Sequence, residues 1–305
     1  KERYQMANDR NDFAPDIRNS AWWASDTRQA VNNKAIDTIL VKQGKQSPPD
    51  LSGIEAVQMG HVMQPVIGQL VTQRLGLEIK DADYSLTQST ESWLRSHFDF
   101  ITTDGTTLVE AKNYHAATRN KFDSDTNRIP PADYAQLVHE ATVHNISHIY
   151  LAVLFGGQEF ETFEFHITDQ EKEDLIKKMA IYWGHVVNDT LPEPQTLEDA
   201  KLVYTTSTDD VIMANREIEI VVSELKEIKA QMKQLEEHYE TRELMIRNLM
   251  QDKGEIRSID GSSLVTWKNT KPTKRFSSTL FQSAMPDIYN QFVVEQVGSR
   301  RFLIK

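Results

Sequence analysis

Apolar and polar positions alternate along this chain with two different periods. Between residues 26 and 40, Ala30, Val31, Ala35, Ile36, Ile39 and Leu40 recur at helical spacing, and the Gly/Ser/Pro-rich run 43–49 ends the pattern. Val62, Val66, Ile67, Leu70, Val71 and Leu75 predict an amphipathic helix within 51–76, with Pro65 inside it and Gly76 closing it. Across 97–112 the pattern becomes that of strands. Two short runs rich in Phe, Ile, Thr, Leu and Val flank Asp104-Gly105, a hairpin signal because Gly accepts the positive φ of a tight turn. This predicted helix packs behind that hairpin. Residues 84–87 read as a possible strand and 113–128 as a polar loop. After Pro130-Pro131 comes a helix bearing Tyr134, Leu137, Val138, Ala141 and Val143, since Pro suits a helix start. A second hairpin over 148–155 and 159–166 turns at Gly156-Gly157, and a helix over 171–187 follows it.

Pro192 and Pro194 mark a boundary, beyond which the period changes again. Ile218, Val221, Leu225, Ile228, Met232, Leu235, Tyr239, Ile246 and Leu249 follow a heptad seam that Arg242 interrupts. They predict one helix over about 209–250, capped by Thr208 or a neighbouring Asp. Its seam is expected to fold back within the chain, with a partner chain as the alternative. The tail is expected to be a small α/β unit cored by Phe276, Phe281, Tyr289, Phe292 and Phe302. The predicted organisation is therefore an arm over 1–20, a core over 21–192, a long helical segment over 193–252 and a small basic region over 253–305.

Composition narrows the class. Hydrophobic residues make up 39% and charged residues 26%, as in an ordinary globular protein. No apolar run approaches the roughly 20 residues that span a bilayer, and residues 1–5 show no secretory pattern, so no membrane is expected as a partner. The first residue is Lys rather than Met, which suggests a trimmed start. Cysteine is absent, which excludes thiolate sites and fits a cytoplasmic location. A net charge of −11 opposes nucleic-acid binding, but residues 253–305 hold nine Lys and Arg against four Asp and Glu.

The candidate chemistry lies on the first hairpin. Asp99 falls on its first strand, Glu110 and Lys112 on its second, and residues two apart on a strand share a face. Two carboxylates beside an ammonium suit a hard divalent cation such as Mg²⁺, with the lysine steadying a water or a developing negative charge. The competing reading is a solvated Glu-x-Lys ion pair on an exposed strand. The sequence has no Walker A loop, dinucleotide fingerprint, Gly-x-Ser-x-Gly elbow or His-Glu-x-x-His helix. His139, His144 and His148 have a spacing that zinc ligands share with ordinary residues at a helix end.

The order of these pieces carries a resemblance over roughly residues 22–190. An arginine-bearing helix with Arg28 comes first, then Gly60 to Pro65, Asp99, Glu110-Ala111-Lys112, Tyr134-Ala135-Gln136 and the second hairpin with its Gly156-Gly157 turn. In that order the chain resembles the YqaJ family of phage-type recombinases, relatives of lambda exonuclease in the PD-(D/E)xK nuclease superfamily. The resemblance implies an α/β fold, an α+β mixed sheet flanked by helices with a restriction-endonuclease-like core, followed here by the long C-terminal helix and small C-terminal region. It implies Mg²⁺-dependent digestion (Mn²⁺ as an alternative) of linear double-stranded DNA from the 5′ end, leaving 3′ single strands for recombination in a bacterial host. Asp99, Glu110, the Ala111 carbonyl and position 64 would hold metal, Lys112 would position water, and Gln136 would organise the site. Arg28 would meet a 5′ phosphate, with Arg119 and Lys121 near the passing DNA. A single-strand annealing recombinase and a homo-oligomer are the implied protein partners. A DNA endonuclease and a catalytically inert DNA-binding or assembly factor are the alternative functions. One position departs: the family has Glu where this chain has Gln64. A natural variant that tolerates the amide, a substitution introduced to trap substrate, and Glu55 in the acidic role are the three readings.

Overall fold

The computed structural model describes residues 15–51, 53–82, 91–295 and 298–305. The chain divides into two compact units, Lys1–Tyr204 and Thr205–Lys305. In the first, a short helix α1 (Pro15–Asn19) lies where only an arm was expected, and residues 1–14 fall outside the described residues. Strand β1 (Trp22–Trp23) follows it.

The single helix expected over 26–40 is two helices, α2 (Ala24–Val31) and α3 (Ala35–Lys42). The chain breaks at Asn33, whose φ of 60° is left-handed, a conformation Asn tolerates better than most residues. The break is about as long as one helical turn, so the apolar spacing carries across it and hides it from periodicity. Buried Lys42 fastens the two helices. Its Nζ lies 2.7 Å from Asp26 Oδ2 and donates to the carbonyls of Arg18 at 2.9 Å and Ala21 at 2.6 Å.

Helix α4 (Glu55–Leu75) runs through Pro65 and ends at Gly76, φ 68°, as its sequence predicts. A five-stranded sheet follows, with strands β2 (Ile79–Asp81), β4 (Phe100–Thr102), β5 (Thr107–Tyr114), β6 (His148–Phe155) and β7 (Glu159–His166) in that spatial order. Within this sheet β5 and β6 run parallel and the other neighbours antiparallel. Strand β3 (Leu94–Arg95) pairs with β1 outside this sheet. Strand β2 has no sequence signal, and the strand expected over 84–87 lies outside the described residues. The expected loop over 113–128 is partly ordered, because β5 continues to Tyr114 and a 3₁₀ helix spans Ala116–Lys121.

The sheet is covered on both faces, as a mixed sheet flanked by helices. On one face Ile67 and Val71 of α4 pack on Phe100, Val109, Ala152 and Leu154. Gly68 permits this approach, because a Cβ there would sit 2.8 Å from the Phe100 ring. On the other face α5 (Pro131–His144) and α6 (Asp169–Val187) lay Leu137, Val138, Ala141, Leu175 and Met179 in one core with Leu108, Ile149, Leu151, Val153 and Phe155. Helix α7 (Leu197–Val203) ends this unit.

The second unit is dominated by α8 (Arg216–Met250), 35 residues long. Its start is later than the expected 209 and its cap is Asn215, whose Oδ1 accepts from the Ile218 N–H at 2.9 Å. The apolar seam residues of α8 are exposed. A hairpin of β8 (Glu255–Arg257) and β9 (Ser263–Thr266) precedes α9 (Ser278–Ala284) and α10 (Pro286–Gln291). The aromatic residues expected to core this region lie largely at its surface, with Phe276 77%, Phe292 76% and Phe302 83% exposed. So short a tail has too few apolar residues to enclose them.

Candidate active site

The period of two in β5 turns Glu110, Lys112 and Tyr114 to the face covered by α5. Asp99 immediately precedes β4, whose Phe100 pairs with Val109, so Asp99 meets β5 beside Glu110 and Ala111. One oxygen of Asp99 accepts from the Ala111 N–H at 2.8 Å, the other from Gln64 Nε2 at 2.7 Å. Lys112 Nζ donates to Glu110 Oε1 at 2.5 Å. Gln136 Nε2 donates to the same Glu110 oxygen at 2.7 Å and to Glu140 Oε1 at 2.8 Å. These bonds form two adjoining sets, Gln64–Asp99–Ala111 and Lys112–Glu110–Gln136–Glu140, which consecutive residues of β5 hold side by side. Glu110 is only 5% exposed, which removes the reading of Glu-x-Lys as a solvated pair.

Glu140 is the member that sequence reasoning missed. It is completely buried, and its Oε2 has no hydrogen-bond partner among the described residues. The signal was present, because Gln136 and Glu140 are four apart on a helix and share a face. What hides it is that polar residues of an amphipathic helix are expected to face solvent, whereas α5 is buried over most of its length.

Three carboxyls and one ammonium in a partly buried cluster set the electrostatics. Burial, reinforced by Glu110, pushes the Asp99 carboxyl up to about 8 against the opposing pull of Lys112 and the Ala111 N–H. Burial and then Glu110 also hold Glu140 well above the usual carboxylate range. For Lys112 burial works the other way, but Glu110, Tyr114, Asp99 and Glu140 outweigh it and keep the ammonium protonated. Carboxyls crowded in this way either hold protons or share a cation, and an all-oxygen donor set suits a hard divalent ion. Asp99 and Glu110 are the residues able to hold one, and the unpartnered Glu140 oxygen lies behind them.

A second network adjoins the first. Tyr114, two residues beyond Lys112, donates to Asp133 Oδ1 at 2.8 Å, and Arg28 donates to the same oxygen at 2.8 Å and to the Tyr114 hydroxyl at 3.0 Å. Burial opposes the Arg28 charge, but Tyr114 and Asp133 raise its pKa. Arg28 is therefore held near the end of β5 with its side chain 32% exposed. Beneath it, Thr27 and His139 bond at 2.7 Å and tie α2 to α5. Arg119 is committed elsewhere, donating to Glu159 at 2.8 Å and to Glu161 on β7, while Lys121 is exposed.

The three histidines with zinc-like spacing have different partners. His139 bonds Thr27 and the Arg95 carbonyl, His144 meets the edge of Phe98, and His148 sits on the opposite face of the sheet from Glu110. There His148 Nε2 lies 2.7 Å from Glu164 Oε1 and its ring stacks on His166 at 4.3 Å.

No protein-family model matches the chain, and no curated protein sequence matches it. Among solved structures it is similar to the alkaline exonuclease LHK-Exo from Laribacter hongkongensis, at 11% identity and a TM-score of 0.44 over 57% of this chain and 91% of that one. A putative exonuclease from Eubacterium rectale is similar at 10% identity and a TM-score of 0.43, over 66% and 94%. A phage-related exonuclease from Haemophilus somnus 129PT is similar at 11% identity and a TM-score of 0.40, over 53% and 82%.

Proposed function

We propose that the chain is a Mg²⁺-dependent deoxyribonuclease acting from the 5′ ends of linear double-stranded DNA. The observation that carries this reading is the partly buried cluster of Asp99, Glu110 and Glu140 near a single ammonium, Lys112, an excess of carboxyls that a divalent cation would neutralise. A bound Mg²⁺, or Mn²⁺, would supply Lewis-acid polarisation of a phosphate and acidify a water. Lys112 stays protonated, so its role is to donate to the attacking oxygen or the phosphate, not to abstract a proton. Gln136 holds Glu110 in place by bridging it to Glu140. Arg28 uses two of its five donors within the fold, which leaves others for a terminal phosphate. The 5′ polarity, the 3′ single strands and their use by an annealing recombinase rest on the family resemblance of the motif order.

The test offers the purified chain linear duplex and covalently closed circular DNA of the same sequence, with Mg²⁺ and with EDTA. Loss of the linear form alone, in Mg²⁺ alone, supports the exonuclease reading. Cutting of the closed circle makes it an endonuclease. Metal-independent duplex binding without cleavage, unchanged in a Gln64→Glu variant, makes it an inert DNA-binding factor.

A further inference from the structure

One series of positions along α8 alternates by three and four without slipping. Ile218, Leu225, Met232, Tyr239 and Ile246 occupy one heptad position, and Val221, Ile228, Leu235, Arg242 and Leu249 the other. Nine of these ten are apolar. A straight helix with 3.6 residues per turn drifts about 20° per heptad from such a repeat, which over 35 residues moves its seam by about a quarter turn. The repeat keeps one continuous face only when the helix supercoils around another helix of similar length. The nine apolar seam residues are 36 to 72% exposed. The neighbouring hairpin uses a different side, where Arg247 lies 4.9 Å over the Trp267 ring.

We infer that the seam is covered by α8 of a second copy of this chain, running antiparallel. Charge selects both the partner and its direction. With Ile218 set against Leu249 of the second copy, every position of one set meets a position of the other, so Leu225 faces Arg242 and Met232 faces Leu235. In this register Lys229 lies across from Glu236 of the second copy, and Arg242 comes beside Glu224 of the second copy. The two-fold axis makes each contact twice. A parallel, in-register pair would bring Arg242 against Arg242, two like charges in the seam. The inference does not depend on the nuclease reading, because α8 contains none of that site's residues.

Sedimentation equilibrium of the full chain tests it. The expected species has twice the 35.0 kDa chain mass, and Ile228→Lys with Leu235→Lys returns it to one chain. Lys229→Glu alone weakens the dimer about two- to tenfold, the scale of two exposed ion pairs, and adding Glu236→Lys restores it. The chain lacks cysteine, so introduced thiols report the direction. Leu225→Cys protein mixed with Arg242→Cys protein should cross-link on oxidation, and Leu225→Cys protein alone should not. A single chain or a trimer at tens of micromolar, or self-linking of Leu225→Cys protein, would overturn the inference.

Discussion

Gln64 Nε2 lies 2.7 Å from Asp99 Oδ1, so the amide of α4 reaches the carboxyl ahead of β4 at the position where the resembled family carries an acid. Glu55 sits at the N-terminal end of α4, more than two turns before Gln64. The contact is made by Gln64. An amide donates a hydrogen bond to Asp99 where a carboxylate would repel it. Above pH 8, where Asp99 is ionised, Gln64→Glu should therefore destabilise the metal-free protein by about 1–3 kcal/mol, the cost of leaving the Asp99 carboxylate without its donor, and below that pH the proton Asp99 holds is shared between the two carboxyls and the loss shrinks. Added Mg²⁺ should recover that loss and raise the melting temperature more in the variant than in the parent. Thermal unfolding with and without Mg²⁺ checks both.

Glu140 accepts from Gln136, and its pKa lies well above the usual range because of burial and then Glu110. Glu140→Gln keeps an acceptor oxygen in the same place and is expected to leave stability within about 1 kcal/mol of the parent. Glu140→Ala leaves Gln136 without its second acceptor and opens a void, and should cost about 2–4 kcal/mol. Urea unfolding distinguishes the two. Equal losses would mean that the charge of Glu140, and not its hydrogen bond, supports the cluster.

Gly68 lets α4 lie against the sheet directly behind the site. A methyl group at this position would meet the Phe100 ring at 2.8 Å, so Gly68→Ala must displace either the ring or the helix. The expected loss is about 1–3 kcal/mol despite the better helix propensity of Ala. Gly68→Ala combined with Phe100→Leu should lose less than the sum of the two single changes.

His139 links α2, α5 and the Arg95 carbonyl while fully buried. Burial holds its pKa down to about 3, and burial likewise lowers His144 to about 4. In the unfolded chain both titrate near their ordinary value, about 6.5. As pH falls below that value the unfolded state binds protons that the folded state refuses, so stability falls from about pH 6.5 downward and is unaffected by these groups above it. His139→Gln should lower the plateau near pH 8 and roughly halve the histidine contribution to the slope between pH 6 and pH 5. Chemical unfolding across that range measures it.

Much of the fold could be read from local pattern, because it is written in periods and breakers. The Asp104-Gly105 hairpin, the second hairpin, α4 ending at Gly76 and α5 opening at Pro131 all have a period and a stop residue close by. The break at Asn33 escaped because it is about one turn long, and β2 because three residues carry no period. The α8 start is later than its pattern predicts, since Val211 falls on the spacing of the seam but lies outside the helix. In the site, Glu110 and Lys112 are legible from one strand, Gln64 and Gln136 only through the resemblance in motif order, and the network of Arg28, Tyr114 and Asp133 from neither. Arg28 and Asp133 are 105 residues apart, and only the packing of α2 on α5 brings them together. Glu140 needed the further knowledge that the polar residues of α5 point inward.

The proposed cleavage depends on Lys112 acting with Asp99 and Glu110. The direct measurement follows release of 5′-labelled nucleotide from linear duplex DNA in Mg²⁺, comparing the parent chain, Gln64→Glu and Lys112→Met. Gln136, Ala111 and the sheet remain in all three, and circular dichroism confirms that each is folded. The expected result is digestion by the parent or by Gln64→Glu, with a loss of at least about 100-fold when Lys112→Met is added. Undiminished digestion without Lys112, or no digestion by either the parent or Gln64→Glu, would rule out the proposed site.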